Sequence, residues 1–297
     1  MIAGLQMIEK NISEKISDEL DKIGLLHRLF SRTKDEKSIK EKINRKIQDG
    51  KPYEINGKKI QDLIGIRIVT YFQDDISLVK KILNDKFIFQ NEEIDEFDLT
   101  VFKPKRTNIV YSFNSEQTRI FLETQSSSQN ESLLLVDNTF ELQLRTMLSE
   151  GWHEIDHSLR YKCKPDWESH NEKERLLNGI YANLETNDIA LKSLFNELAY
   201  QHFKNKNWEA LIRTKFRLKF QLTPIKPELV RVFNNNNNLA KRIIKLDRGD
   251  LLLKIAKSDL SLPVNINNLI FIINHFILKD ENIYALTPDL IKSYSTV

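Results

Sequence analysis

Residues 139–162 read TFELQLRTMLSEGWHEIDHSLRYK, and two chemistries compete for them. Residues 140–146 (FELQLRT) alternate apolar and polar side chains, the pattern of a half-buried strand, so Glu141, Gln143 and Arg145 share one face. A helix is expected to open near Thr146 and run to about Tyr161. Inside it, His153-Glu154-Ile155-Asp156-His157 spells H-E-x-x-H, the helix signature of zinc peptidases. The strand suits magnesium-dependent phosphoryl transfer, and the helix suits a metalloprotease.

Working outward, the fold follows from the strand. Residues 60–72 (IQDLIGIRIVTYF) are rich in β-branched side chains and alternate from Gly65 onward, so a second strand follows Asp62. Further strands are expected at 99–103, 110–113 and 119–124. The polar QSSSQNE of 125–131 reads as a hairpin connection. Ile8, Ile12, Ile16, Leu20 and Ile23 recur at helical spacing and predict a helix over 5–30. Others are expected at 35–48, closed by Asp49-Gly50-Lys51-Pro52, and at 75–87. Beyond Asp166 strand signals vanish. Helices are expected at 172–186, 188–204, 207–219, 226–233, 239–257, 265–279 and 287–295, with Pro224, Pro227, Pro263 and a flexible Asn234–Asn238 run between them. The expected architecture is an α/β domain over residues 1–165, with a mixed β-sheet flanked by helices. An all-helical domain over 166–297 follows, serving regulation, oligomerisation or partner binding.

The whole-chain composition fits this plan. A length of 297 residues suits about two domains, and a hydrophobic fraction of 40% provides a sizeable core. The net charge of +3 does not argue for nucleic acid or membrane. Its distribution is more informative: between Arg28 and Lys59 eleven bases face five acids, an excess that fits polyphosphate or RNA as well as a solvated helix face. The single cysteine, Cys163, excludes an internal disulfide and a Cys-rich zinc site and fits a reducing cytoplasm. No signal-peptide pattern opens the chain. The longest apolar run, Leu269–Leu278, is interrupted by Asn274 and His275 and is too short to span a bilayer. A cytoplasmic protein with no membrane partner is expected.

Asp62 and Glu141 stand at the two strands. If these neighbour each other, both carboxylates reach one point, an arrangement that suits Mg2+, which binds through one or two carboxylates and keeps other positions for water and phosphates. Either acid alone reads more readily as a solvated surface residue. Arg32, Lys34, Ser38 and Lys42 add weight. Ser38 and Lys42 lie at i, i+4 on one helix face with Lys34 a turn earlier, a stripe suited to a triphosphate that an arginine can grip bidentately.

Four ordered segments together resemble the RelA/SpoT homologue synthetase domain: SRTKDEKSIKEKI (31–43), IQDLIGIRI (60–68), FELQLRT (140–146) and EIDHSLRYK (154–162). The resemblance covers about residues 20–165. It implies an ATP-dependent pyrophosphokinase, of the GTP diphosphokinase type or a toxic small alarmone synthetase, that moves the β,γ-diphosphate of ATP to a ribose 3′-hydroxyl and releases AMP. It implies that Asp62 holds magnesium and that Glu141 shares this and assists deprotonation of the hydroxyl. Arg32, Lys34, Ser38, Lys42 and Arg67 would hold ATP and its phosphates, while Gln143 and Arg145 would orient the acceptor. GDP or GTP is the leading acceptor, giving (p)ppGpp. The alternatives are an adenine nucleotide or the 3′-CCA end of tRNA, with an antitoxin or regulatory protein as possible partner and self-association as a possible state.

One segment departs from the family. Its members carry Gly-Tyr-x-Ser-x-His after a Pro-Lys pair, and the tyrosine stacks on guanine. Here Pro104-Lys105 leads into RTNIVYSF (106–113) without Gly-Tyr, so Tyr111 or Phe102 is the candidate substitute. The zinc reading is weaker still on its own terms. Arg160 occupies the glycine place of the longer metzincin motif, and Glu185 or Glu197, neither in a recognisable motif, would have to supply a third ligand. Trp152 and Trp208 are expected in the core.

Overall fold

In the computed structural model, residues 2–94, 107–128 and 130–293 are described. Two compact units emerge, one of residues 1–17, 27–76 and 83–186, the other of 18–26, 77–82 and 187–297.

The first unit is built on a five-stranded mixed sheet in the order β1-β2-β5-β4-β3. Its strands are β1 (His27–Thr33), β2 (Ile64–Thr70), β3 (Ile88–Ile94), β4 (Thr107–Ser112) and β5 (Thr139–Thr146). The expected neighbours do pair: β2 runs parallel to β5, placing Gly65 opposite Glu141 and Arg67 opposite Gln143. β1 runs antiparallel to β2, with Arg32 opposite Gly65 and Phe30 opposite Arg67. Along β2 and β5 the side chains alternate in burial. Ile64, Ile66, Ile68, Phe140, Leu142 and Leu144 are buried on one face, whereas Gly65, Arg67, Glu141, Gln143 and Arg145 are half-buried on the other. The alternation read from the sequence is therefore the sheet's two-sidedness.

The helices of this part correct several expectations. The helix α1 (Ile2–Lys22) buries Ile8, Ile12, Ile16 and Leu20 as expected but stops well short of residue 30. Gly24 takes φ +66, which favours glycine, and a Cβ there would meet Val264 at 2.6 Å. The chain then turns into β1 instead of continuing as helix. α2 (Glu36–Gln48) is capped by Asp35, which accepts from the Ser38 amide at 2.7 Å. α3 spans Asp74–Asn84. The strand expected at 119–124 is instead part of α4 (Ser115–Ser127), opened by a capping box in which Asn114 and Gln117 satisfy each other's backbone amides. Residues 125–127 belong to that helix and 131–135 form a 3-10 turn, so no hairpin joins here. β3 lies in a stretch without an expected strand. The strand expected at 99–103, with Phe102, lies outside the described residues. α5 (Met147–Ile155) gives way to a π-helical turn over Asp156–Tyr161. One 34-residue helix, α6 (Asn171–Lys204), replaces the two expected between 172 and 204.

The second unit carries α7 (Trp208–Phe216), α8 (Pro227–Asn235), α9 (Asn237–Lys245), α10 (Arg248–Lys257), α11 (Ile266–Ile273), α12 (Glu281–Leu286) and α13 (Asp289–Ser293). The asparagine run is a helix junction rather than a loop: α8 ends in it, and Asn236 caps α9 by accepting from the Asn238 amide at 3.2 Å. The helix expected at 239–257 is broken because Asp247 caps a new one. Trp152 and Trp208 are buried, as expected. Among the described residues no helix is long and apolar enough to cross a membrane.

Candidate active site

Three local restraints fix Asp62 just ahead of β2. Ile60 bridges Val136 in parallel register, the Gln61 carbonyl accepts from Thr139 Oγ1 at 3.1 Å, and the Leu63 carbonyl accepts from the Lys34 amide at 2.8 Å. The Asp62 carboxylate is thus held between the start of β5 and the end of β1. Its Oδ2 accepts from Lys42 Nζ at 2.7 Å and also from Lys34 Nζ, while its Oδ1 is buried with no hydrogen-bond partner.

Charge follows this geometry. Burial works against the Asp62 anion, but Lys42 and Lys34 outweigh it and hold its pKa below the usual aspartate value. Burial also disfavours both ammonium groups. At Lys34 it prevails over Asp62 and lowers the pKa, whereas at Lys42 the Asp62 carboxylate prevails and raises it. Glu141 is close enough to both lysines to favour their charged forms. Two carboxylates and two ammonium groups therefore form one electrostatic cluster at one end of the open sheet face.

A cleft lies over that face, lined by Arg32, Lys34 and Asp62 at this end, by Glu141, Gln143 and Arg67 along its floor, and by Phe30, Glu150 and Glu154. Along the floor the side chains are linked: Gln143 Nε2 donates to Glu141 Oε1 at 2.7 Å, and Arg67 Nε and Arg145 Nη2 donate to Gln143 Oε1 at 3.4 and 3.3 Å. Glu150 completes the series, accepting from Arg67 Nη1 at 2.7 Å and from Arg145 Nη1 at 2.8 Å on its two oxygens. Glu154, one turn on, also accepts from Arg67, and this overcomes the effect of burial and lowers the Glu154 pKa.

Of the expected site residues, Arg32, Lys34, Asp62, Arg67, Glu141 and Gln143 line the cleft. Lys42 reaches it through Asp62, and Arg145 through Gln143 and Glu150. Ser38 sits in the first turn of α2, where its amide is taken by Asp35, and does not line the cleft. Tyr111 is not brought to the site. It is fully buried, pairs with Phe140 on the opposite face of the sheet, stacks on that ring at 5.4 Å and donates to Asn84 Oδ1 at 2.7 Å. Burial pushes its hydroxyl pKa upward. Glu150 was not anticipated; its signal was the i, i+4 spacing to Glu154 on a helix that starts as β5 ends.

The H-E-x-x-H positions are engaged elsewhere. His153 is 4% exposed and packs edge-on against Trp152 and Tyr181. Glu154 is held by Arg67, and His157, on the π-helical turn, stacks on Tyr161 at 5.8 Å.

Residues 31–166 match the model of the family described as the region found in RelA / SpoT proteins. This stretch is a RelA/SpoT-type region. Solved structures similar to the chain include small alarmone synthetase 1 from Bacillus subtilis, at 22% identity and TM-score 0.45 over 65% of this chain and 95% of that one. The same synthetase bound to its product pppGpp aligns at 23% identity and TM-score 0.47, over 67% and 96%. A GTP pyrophosphokinase family protein from Streptococcus pneumoniae aligns at 21% and 0.45, over 64% and 88%. No curated protein matches the chain. In this RelA/SpoT-type domain the four recognised segments converge on one cleft. The first supplies Arg32, Lys34 and Lys42, the second Asp62 and Arg67, the third Glu141, Gln143 and Arg145, and the fourth Glu154.

The donor set fits magnesium. Asp62 keeps one buried oxygen without a partner, and a second carboxylate, Glu141, lines the same cleft, so water and phosphate oxygens would supply the remaining ligands.

Proposed function

We propose that the chain is an ATP-dependent pyrophosphokinase that transfers the β,γ-diphosphate of ATP to the 3′-hydroxyl of GDP or GTP, making (p)ppGpp. The single observation that carries this reading is the Asp62 carboxylate: two lysines share one of its oxygens, the other is buried and unpartnered, and Glu141 lines the same cleft. Such a cluster holds a polyphosphate and a divalent cation together. It has no evident use in a purely structural ion pair, where the second oxygen would also be satisfied.

In this reading the acceptor's 3′-oxygen attacks the β-phosphorus of ATP, the bond from that phosphorus to the α,β-bridging oxygen breaks, and AMP leaves with that oxygen. Glu141 takes the proton from the attacking hydroxyl. Lys34, Lys42 and Arg32 bind the phosphates and neutralise charge that builds on them, and Gln143 fixes the Glu141 carboxylate through the 2.7 Å hydrogen bond. Asp62 and Glu141 would hold magnesium. When bound, it supplies charge neutralisation and alignment of the phosphate oxygens. The protein's share of catalysis is positioning and electrostatics, the main resources for phosphoryl-type transfer.

The test is transfer of label from β- or γ-labelled ATP in the presence of magnesium, with GDP, GTP, adenine nucleotides and deacylated tRNA in separate reactions. Label on GDP or GTP is the expected result. Label confined to tRNA or to an adenine nucleotide would replace the alarmone reading, and no transfer to any acceptor would end the enzyme reading.

A further inference from the structure

Asp62 is claimed by two kinds of cation. Its Oδ2 accepts from Lys42 Nζ at 2.7 Å and from Lys34 Nζ. Its Oδ1, the oxygen open to a divalent cation, belongs to the same carboxylate and so lies close to both ammonium groups. The three side chains are at most 23% exposed, so water screens them poorly. With Glu141 the cluster carries two negative and two positive charges, and Arg32 on the same cleft adds a third positive one. A divalent cation added to this set by itself meets like charge on several sides. A polyphosphate in the same cleft reverses that balance, because it brings the negative charge that both the metal and the ammonium groups need.

The two lysines are not equivalent. Lys34 lines the cleft, whereas Lys42 comes from α2 and reaches the cleft through Asp62. The Lys34 amide donates to the Leu63 carbonyl at 2.8 Å, which keeps its backbone beside Asp62. Its ammonium stands on a flexible four-carbon stem and can swing to a phosphate oxygen without moving the end of β1. Lys42 has three donors, so it can keep its hydrogen bond to Asp62 while it meets phosphate. We infer that Lys34 is an exchangeable counter-ion: it passes between Asp62 and the polyphosphate, and Asp62 accepts a divalent cation readily only once phosphate holds Lys34. This rests on the pyrophosphokinase reading and adds the coupling between its two ligands. By reciprocity, metal and polyphosphate each bind better after the other.

Electron paramagnetic resonance of Mn2+ added to the full chain, with and without ATP, tests the exchange by binding alone. Without nucleotide, Lys34→Met should bind Mn2+ about 10-fold more tightly than wild type, since one repelling charge is gone. Lys34→Arg keeps that charge and should bind Mn2+ as weakly as wild type. Adding Asp62→Asn to Lys34→Met should remove the gain. Metal-free ATP should bind Lys34→Met about 10-fold more weakly than wild type, the loss of one hydrogen bond from a charged donor. Lys42 still pairs with Asp62 in both single variants, so both should fold, which far-ultraviolet circular dichroism checks. Equal Mn2+ affinity in wild type and Lys34→Met without nucleotide would overturn the inference. An equal gain in Lys34→Arg would also overturn it, because the effect would then not be one of charge. If wild type binds neither Mn2+ nor ATP when both are supplied, the pyrophosphokinase reading fails first and this assignment goes with it.

Discussion

Lys42 Nζ lies 2.7 Å from Asp62 Oδ2, the oxygen that Lys34 also engages, while Asp62 Oδ1 is left buried and unpartnered. The lysines come from the helix after β1 and from the end of β1 itself, so Asp62 ties the first segment of the site to the second. Replacing Asp62 by asparagine removes the shared anion and leaves two partly buried cations facing each other. Transfer should fall at least about 100-fold, a loss on the scale of removing one preorganised charge. Binding of ATP without divalent cation should tighten, because the freed lysines no longer share a carboxylate. Equilibrium titration with and without magnesium checks both halves.

The same pair sets a pH dependence. The folded Asp62 pKa lies below its ordinary value, so the unfolded chain takes up the proton first as pH falls. The stabilisation is therefore complete above the unfolded aspartate value of about 4 and is lost as pH drops through the lower folded value. The stability gap between wild type and Asp62→Asn, expected at about 1.5–3 kcal/mol for hydrogen bonds to a charged group, should be flat from pH 7 to 5. It should shrink below about pH 4. Urea denaturation at each pH measures it.

Glu150 bridges Arg67 and Arg145 with separate oxygens, and all three side chains are at most 23% exposed. Glu150→Gln keeps the shape and removes the charge that holds two neighbouring guanidinium groups side by side. It should lower stability by about 1–3 kcal/mol, as expected for hydrogen bonds to charged groups. It should also lower kcat/KM for transfer, because Gln143 shares its oxygen with both arginines and in turn holds Glu141.

Tyr111→Phe removes only the hydrogen bond to Asn84 Oδ1. Stability should drop by about 1–2 kcal/mol, since the asparagine is left without this donor. KM for the acceptor should stay within about twofold. A selective rise in acceptor KM would return Tyr111 to the acceptor site.

The strand carrying Glu141 and its partner β2 were legible in the sequence because both alternate apolar and polar side chains, whereas their parallel pairing comes from the structure. Asp62, Glu141, Arg32, Lys34 and Lys42 could be named because charged residues at strand and helix edges rarely recur in that order by chance. What the sequence hid depended on tertiary contacts or competing local signals. β1 continues the apolar series of α1 until the turn at Gly24 interrupts it. α4 looks like a strand from its Ile120 and Phe121, and only the Asn114–Gln117 capping box marks it as helix. Tyr111 was one strand position away from the open face, and the parity that buries it is fixed by pairing with Phe140 rather than by its own neighbours. Glu150 carried only its i, i+4 spacing to Glu154 as a signal, because its value comes from two arginines on two different strands.

The H-E-x-x-H pentapeptide gives a clean contrast. His153 is packed in an aromatic cluster and Glu154 is occupied by Arg67, so zinc-selective chelation should leave transfer unchanged, while removal of magnesium by a general chelator should abolish it. Restoration of activity by zinc alone would reverse the assignment.

Glu141 is set opposite Gly65 in the β2–β5 register and fixed by Gln143, and the proposed chemistry gives it the metal and the reacting hydroxyl. The most direct measurement is single-turnover transfer from labelled ATP by Glu141→Gln at saturating magnesium and guanine nucleotide, alongside its ATP affinity. Transfer should fall by at least about 100-fold, with ATP affinity within a few-fold of wild type. Transfer at the wild-type rate by the folded variant would contradict it.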